Sequence, residues 1–236
     1  MKVLVIGDAC IDEYRYGNIT RVNPESTATL LSYISSEERL GMTHNVAANL
    51  LSLGLSVDIT VPKEVSRKIR YIDSRTRDHL LRVDIDNKCD AYQLETSYDY
   101  DAIVISDYNK GFITDENVIE LRKRFNGLMY MDTKKIDLQK FEGIFLKINE
   151  LEFSRAISLP SKEYIIVTYG SKGCQYMGET YPIDKTEIVD VCGAGDVFLA
   201  ALVSKHLETK NIKMALPFAN KKAALSCQSL GTVCIS

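Results

Sequence analysis

The sequence predicts an α/β protein built on a doubly wound, mainly parallel sheet, with helices on both faces and a small β lid. Two patterns predict it. Short apolar runs rich in β-branched residues stop at a polar residue and give way to helical or turn-like stretches, five times along the chain. Runs apolar on both faces suit strands buried between helix layers, and strands alternating with helices imply parallel pairing. Against that rhythm, two stretches rich in Thr, Ser, Tyr and Arg, about 14–38 and 67–86, lack helical period and read as hairpin-like strands outside the main sheet.

In chain order, Val3–Ile6 forms the first strand and ends at Gly7-Asp8, the first lid stretch follows, and Asn45–Leu53 is the first helix. After the second lid stretch come strands Ala102–Ile105, ending at Ser106-Asp107, and Leu128–Met131, ending at Asp132, with a helix over Asp115–Phe125 between them. Strands Ile144–Ile148 and Tyr164–Val167 end at Asn149 and Thr168. Two helices close the chain, Asp196–Leu207 and Ile212–Leu230, the second interrupted or kinked at Pro217. Ligands of such sheets bind beyond the carboxyl ends of the strands, so these polar residues should line a site. A β lid over them would exclude water from a bound phosphate donor. With no internal repeat or long linker, residues 1–236 read as one domain.

Composition narrows the partners. A chain of 236 residues with 45% hydrophobic and 26% charged residues buries an ordinary core, and a net charge of -3 gives no basic field for nucleic acid. The six cysteines (Cys10, Cys89, Cys174, Cys192, Cys227 and Cys234) make neither a Cys-x-x-Cys pair nor a disulfide scaffold, so reduced thiols are expected. His44, His79 and His206 join no cluster at metal-ligand spacing. The opening apolar run is too short for a signal peptide, and no later run approaches membrane-spanning length. A cytoplasmic enzyme with a small-molecule partner is expected, with neither nucleic acid nor membrane.

The segment Asp190-Val-Cys-Gly-Ala-Gly-Asp196 precedes an apolar, helix-forming run. Glycines let backbone approach a phosphate, and the free N–H groups of a helix start point at it. Asp196, in the first turn, would be the base, and a carboxylate beside a helix N-terminus should stay ionised at neutral pH. The plainer reading of the same residues is a tight turn followed by a common N-terminal Asp.

Asp-Val-Cys-Gly-Ala-Gly-Asp resembles the carboxyl-terminal signature of the ribokinase (PfkB) carbohydrate kinases. Five further segments look more like the heptose 7-phosphate kinase domain of bacterial ADP-heptose synthesis: Val5–Gly17, Arg21–Glu25, Leu80–Asp84, Ser106–Gly111 and Leu230–Thr232. The resemblance runs nearly end to end and implies a ribokinase-like fold. It implies Asp196 as base, Gly193, Ala194 and Gly195 as the anion hole, and Asp12, Gly41 and Asn45 on the sugar side. Asn149-Glu-Leu-Glu152 looks like the family's Asn-x-x-Glu motif, implying that Glu152 gathers Mg²⁺ through water. Thr168-Tyr-Gly170-Ser-Lys-Gly173 resembles its nucleotide turn, and Asn220 matches a position near adenine. Each also has a plain reading: Asp12 as a turn residue, Asn45 and Asn149 as helix caps, Glu152 as a solvated charge. Asp107 and Lys110, and likewise Asp132 and Lys134, follow strand ends where a lysine could meet a phosphate. Arg75, Arg77 and Arg82 of the lid could hold a sugar phosphate. Asp190 is a candidate ligand for a monovalent cation, K⁺.

Departures from the family pattern carry expectations of their own. The sugar-side glycine pair reads Gly41-Met42, so either the backbone needs no positive φ at Met42 or the sugar pocket is reshaped. Cys192 replaces a common threonine beside the helix start, which predicts a lowered thiol pKa and alkylation slowed by bound nucleotide. The chain is short between Asp58 and Lys68 and between Asp86 and Tyr98, so the sheet should be trimmed at one edge. The implied function is an ATP- and Mg²⁺-dependent kinase of a sugar or sugar phosphate, heptose 7-phosphate first, working as a homodimer through the lid. A kinase of another sugar or a nucleoside, or a non-catalytic binding protein that kept the nucleotide fold, are the alternatives.

Overall fold

A computed structural model describes residues 1–184, 187–229 and 231–235. In chain order the elements are β1 (Lys2–Gly7), β2 (Ala9–Val22), β3 (Thr29–Met42), α1 (Thr43–Ser52), β4 (Ser56–Thr60), β5 (Ser66–Asp73), β6 (His79–Ile85), β7 (Ala102–Asp107), α2 (Asp115–Arg124), β8 (Leu128–Thr133), β9 (Phe145–Asn149), α3 (Glu150–Arg155), β10 (Ile165–Thr168), β11 (Cys174–Tyr176), β12 (Glu179–Tyr181), α4 (Ala194–Thr209) and α5 (Ile212–Ser226).

Eight strands form one sheet in the order β12-β11-β10-β9-β8-β7-β1-β4, parallel except for the β11–β12 hairpin at one end. Strand periodicity divides the core. Val3, Val5 and Val104 point to one face, where α1, α4 and α5 cover them; Leu4, Ile6, Ile103 and Ile105 point to the other, where α2 packs. Burying each such aliphatic side chain contributes about 1.5–3 kcal/mol. From Phe198 to Val203 α4 is buried on every side, which marks it as an interior helix and fixes its N-terminus against the sheet. Pro217 lies inside α5 without ending it; the expected extension to Leu230 falls on a residue outside the described ones.

The lid is a second sheet of order β3-β2-β5-β6, wider than the sequence suggested, with β2 beginning at Ala9 and β3 running to Met42. The main sheet ends at β4, whose residues are exposed or half-buried, as expected of a trimmed edge. On the face served by α2, the irregular segment between β6 and β7 packs its tyrosines: Tyr92 lies 5.9 Å from Phe112, and Tyr100 donates to Asp58 Oδ2 at 2.8 Å. Those tyrosines substitute apolar ring area for helical cover. The hairpin β11–β12, of only three residues per strand, was not anticipated, whereas the six-residue helix α3 realises the plain reading of Asn149 as a helix cap.

One departure from rotamer-like backbone matters. Met42, the N-cap of α1, has φ +57° and ψ -126°, so this position does demand a positive φ and a methionine occupies it. It is buried, and it pairs in register with Ala9, whereas Gly41 faces Cys10.

Candidate active site

The strand ends converge on the start of α4. Gly193, its N-cap, is left-handed at φ +77°, and a Cβ there would lie 2.8 Å from Asn45 Nδ2 and 3.0 Å from Thr232 Cγ2, so only glycine fits. Asp190 folds the preceding loop by accepting from the N–H of Cys192 at 2.9 Å and of Gly231 at 2.8 Å. In that first turn the N–H groups of Gly195 and Asp196 have no intrahelical partner.

Asp196 is buried; its Oδ2 accepts from Asn45 Nδ2 at 2.9 Å and its Oδ1 from the Tyr108 hydroxyl at 3.2 Å. Burial is the largest influence and pushes its carboxyl up to about 6; the Asn45 hydrogen bond opposes this, the Asp132 charge adds to it, and Lys147 and Tyr108 oppose it. The carboxyl is thus still mainly ionised at pH 7, as expected of it, but burial rather than the helix N-terminus sets the direction of its shift. A base poised near neutrality suits proton acceptance.

Beside it lies a buried ion pair that sequence reasoning missed. Lys147 Nζ sits 2.5 Å from Asp132 Oδ2, with side chains 5% and 7% exposed, and a Cβ on Gly195 would lie 2.8 Å from that ammonium. The signal was available, since a lysine interrupts the otherwise apolar run of β9. Asn149 and Glu152 form a reciprocal capping box on α3: Asn149 Oδ1 accepts from the Glu152 N–H at 2.9 Å, and Glu152 Oε2 accepts from the Asn149 N–H at 2.8 Å. Glu152 also pairs with Lys134. Asp132 Oδ1 is buried with no hydrogen-bond partner. That orphaned acceptor and the Glu152 carboxylate suit a Mg²⁺ ion that keeps most of its water.

On one side of the α4 start, a cavity of about 340 Å³ is lined by Thr168, Gly170, Gly173, Asn220, Ala194 and Gly195, with Val191, Phe198, Ala223 and Cys227 supplying an apolar wall. Four residues singled out for a nucleotide thus share one cavity with the anion hole. Asn220, however, donates from Nδ2 to the Tyr181 carbonyl at 2.7 Å and so also anchors β12.

On the other side stands the lid. Asp12 is buried, with Arg70 Nη2 at 3.4 Å from Oδ1 and Cys10 Sγ at 3.6 Å from Oδ2, and Gly41 lies directly against its carboxylate. Register puts Lys68 and Arg39 opposite Asp12, and Arg70 opposite both Tyr14 and Arg82, on this same face. The Tyr14 hydroxyl and Arg70 Nε are buried without hydrogen-bond partners. Of the arginines expected here, Arg75 binds Asp73 and the Ile19 carbonyl, Arg77 lies over the Tyr16 ring, and Arg82 is taken up by Asp84. The lid cation beside Asp12 is therefore Arg70, which sequence reasoning overlooked.

Two further expectations are corrected. Asp107 is fully buried and holds its own loop, accepting from Thr133 Oγ1 at 2.6 Å and from the Asn109 N–H at 2.8 Å, while Lys110 pairs with Asp86; neither is among the groups gathered at Asp196. The Cys192 thiol is pushed up, not down: burial outweighs the nearby Arg70, and Asp12, Asp190 and Asp196 add to it. Those neighbours put the thiol on the lid side of the anion hole. Among the described residues no helix is long and apolar enough to cross a membrane.

Residues 149–235 match the description "pfkB family carbohydrate kinase". The chain is 28% identical to the bifunctional protein HldE of Helicobacter acinonychis, over all of this chain and 64% of that protein, and 28% identical to that of Nitratiruptor sp., over 98% and 62%. It therefore spans a little under two thirds of the length of these relatives. The first alignment extends over 298 positions against 236 residues, so the relative has segments that this chain lacks. Among solved structures it resembles ribokinase of Thermotoga maritima (TM-score 0.70, 20% identity, 98% of this chain and 94% of that one). It also resembles phosphofructokinase-2 of Escherichia coli in complex with potassium (0.72, 13%, 98% and 94%) and ribokinase of Arabidopsis thaliana complexed with ribose and ATP (0.67, 19%, 97% and 93%). The fold is ribokinase-like.

Proposed function

We propose that this chain, whose residues 149–235 match the pfkB carbohydrate kinase family, transfers the terminal phosphoryl group of ATP to a hydroxyl of a sugar that already carries a phosphate. Heptose 7-phosphate is the first acceptor to test. One observation carries the reading: the start of α4 walls the 340 Å³ cavity with Ala194 and Gly195, and presents Asp196 to Asn45 on the lid side. Donor and acceptor would meet across a single helix N-terminus.

In this reading the adenine and ribose occupy the cavity, and the phosphates extend along Gly195 towards Lys147 and Lys134. The acceptor hydroxyl oxygen attacks the γ-phosphorus in line, its proton passes to the Asp196 carboxylate, and the bond from γ-phosphorus to the β–γ bridging oxygen breaks to release ADP. Lys147 and the N–H groups of Gly195 and Asp196 hold the charge that develops on the transferring group. Mg²⁺, near Asp132 and Glu152, would neutralise phosphate charge. A monovalent cation at Asp190 would use the second lone pair of oxygens that each already accept one backbone N–H.

A phosphorylated acceptor is favoured over a neutral sugar or a nucleoside by Arg70 and Tyr14, whose buried donors lack partners beside Asp12. An anionic group there would satisfy both, and leaving them unpaired disfavours an acceptor without it. Homodimerisation belongs to the same reading: on the lid face turned away from Asp12, register aligns exposed Tyr33, Leu40, Leu81 and Val83. A coupled ADP-release assay over sugars, sugar phosphates and nucleosides, with Asp196→Asn as control, tests the assignment. Turnover confined to phosphorylated sugars and lost in the variant is expected. Nucleotide binding without turnover on any acceptor would make the chain a binding protein instead.

A further inference from the structure

Both carboxylate oxygens of Asp196 are engaged before any acceptor arrives. Asn45 donates to Oδ2 at 2.9 Å, and the Tyr108 hydroxyl donates to Oδ1 at 3.2 Å. The proposed transfer step gives Tyr108 no role. Tyr108 is held from behind: its N–H donates to Asp8 Oδ2 at 2.7 Å, and the next residue, Asn109, sits at φ +57° with its N–H on Asp107 Oδ1. Two ammonium groups also lie against the ring, Lys68 Nζ of the lid and Lys134 Nζ beyond β8, each 5.3 Å from its centroid. Lys134 in turn pairs with Glu152 on the phosphate side. One side chain thus touches the lid, the base and the cations at the donor phosphates.

We infer that Tyr108 is a positioning residue that occupies the Asp196 oxygen later used by the acceptor hydroxyl, so that water does not reach the base while ATP is bound and the acceptor is absent. The inference rests on the kinase reading above. A water in that place would be activated as the acceptor is, its oxygen attacking the γ-phosphorus, its proton passing to Asp196, and ADP and phosphate leaving. The hydroxyl of Tyr108 blocks that route by a hydrogen bond an acceptor can displace. Its ring, held by contacts with Lys68 and Lys134, keeps Asp196 aimed while the exchange occurs.

The test is Tyr108→Phe, which keeps a ring against the two lysines and removes only the hydroxyl. ADP release is measured with saturating ATP, with and without acceptor, and the Asp196 carboxyl carbon is followed by NMR in ¹³C-labelled full-length protein, assigned by its absence in Asp196→Asn. The expected results are a shifted Asp196 resonance, acceptor-independent ATP hydrolysis raised roughly five- to tenfold, as loss of one hydrogen bond allows, and a kcat for transfer that falls less than the hydrolysis rises. An unmoved Asp196 resonance overturns the contact, and a hydrolysis-to-transfer ratio equal to that of the wild type overturns the gating. A merely structural tyrosine would lower both rates together. Failure of the kinase reading shows in the wild type, as absence of transfer to every acceptor; failure of this inference shows only in the variant.

Discussion

Replacing Asp196 by asparagine should stabilise the protein in a pH-dependent way while abolishing transfer. In the folded chain the carboxyl titrates at about 6, against an ordinary value of 3.8, because burial disfavours the charged form. The folded state therefore binds a proton more tightly than the unfolded state. Well below pH 3.8 both states hold the proton and the group is neutral in its effect; well above pH 6 both have lost it, and the folded state carries the whole penalty. The gap between 3.8 and about 6, at 1.36 kcal/mol per pH unit, is about 3 kcal/mol. Wild-type stability from this group thus falls as pH rises between 4 and 6, and the variant escapes that fall. Asparagine also sets one amide against another, because Asn45 Nδ2 already faces this side chain, but that cost is independent of pH. Urea denaturation of wild type and Asp196→Asn, from pH 4 to pH 7.5, gives the difference directly. The variant should gain about 2.4 kcal/mol relative to wild type across that range, since at pH 4 the unfolded carboxyl is already more than half ionised. A difference that stays flat, or that shrinks with rising pH, would refute the buried and destabilised carboxylate.

Three further outcomes are expected. Lys147→Met should cost up to about 3–5 kcal/mol in urea denaturation by leaving buried Asp132 only the more distant Lys134 ammonium, 3.8 Å from Oδ1, whereas Lys147→Met with Asp132→Leu should recover most of it; equal losses would show that the pair is not desolvated. Met42→Gly should relieve about 1–3 kcal/mol of backbone strain at φ +57° but lose a buried side chain worth about 2–5 kcal/mol, so its thermal midpoint should fall, and a rise would mean that strain dominates. Cys192 should alkylate slowly at pH 7 and faster as pH rises past 9, with protection by the phosphorylated acceptor exceeding that by ATP; mass spectrometry of iodoacetamide-treated protein reads this, and protection by ATP alone would put the thiol on the donor side.

How far the molecule was legible in its sequence depended on whether a feature is local. All five apolar runs became strands of the main sheet, because a run apolar on both faces has few alternatives to burial between helices. Thr168, Gly170, Gly173 and Asn220 line one cavity because strand order alone delivers their turns to the same edge. What was illegible is pairwise. Lys147 meets Asp132 only because β9 lies beside β8, and Arg70 reaches Asp12 only because β5 pairs with β2 in one particular register. The same absence of pairing information misdirected the choice among arginines: Arg75 and Arg77 are nearer the β5–β6 turn, where Asp73 and Tyr16 take them. Asn149 and Glu152 show a different ambiguity. Their spacing of three residues is that of a capping box as well as of a nucleotide motif, and the structure displays the former without removing the carboxylate from the phosphate side.

The position of the trimmed edge bears on how the two halves of the site can differ. In the strand order β12-β11-β10-β9-β8-β7-β1-β4, the cavity proposed for the donor lies towards β10–β12, and the shortened edge is β4, at the opposite end. Shortening there removes wall from the side of β1 and the lid and leaves the cavity untouched. With less wall, shape can do less to select an acceptor, and discrimination passes to groups that need pairing. Arg70 Nε and the Tyr14 hydroxyl are such groups, since a buried donor left unsatisfied costs about 1–3 kcal/mol each, whereas a missing methylene contact in an open pocket costs little. A reduced sheet is therefore compatible with a selective enzyme, provided that its acceptor carries the charge that the lid lacks.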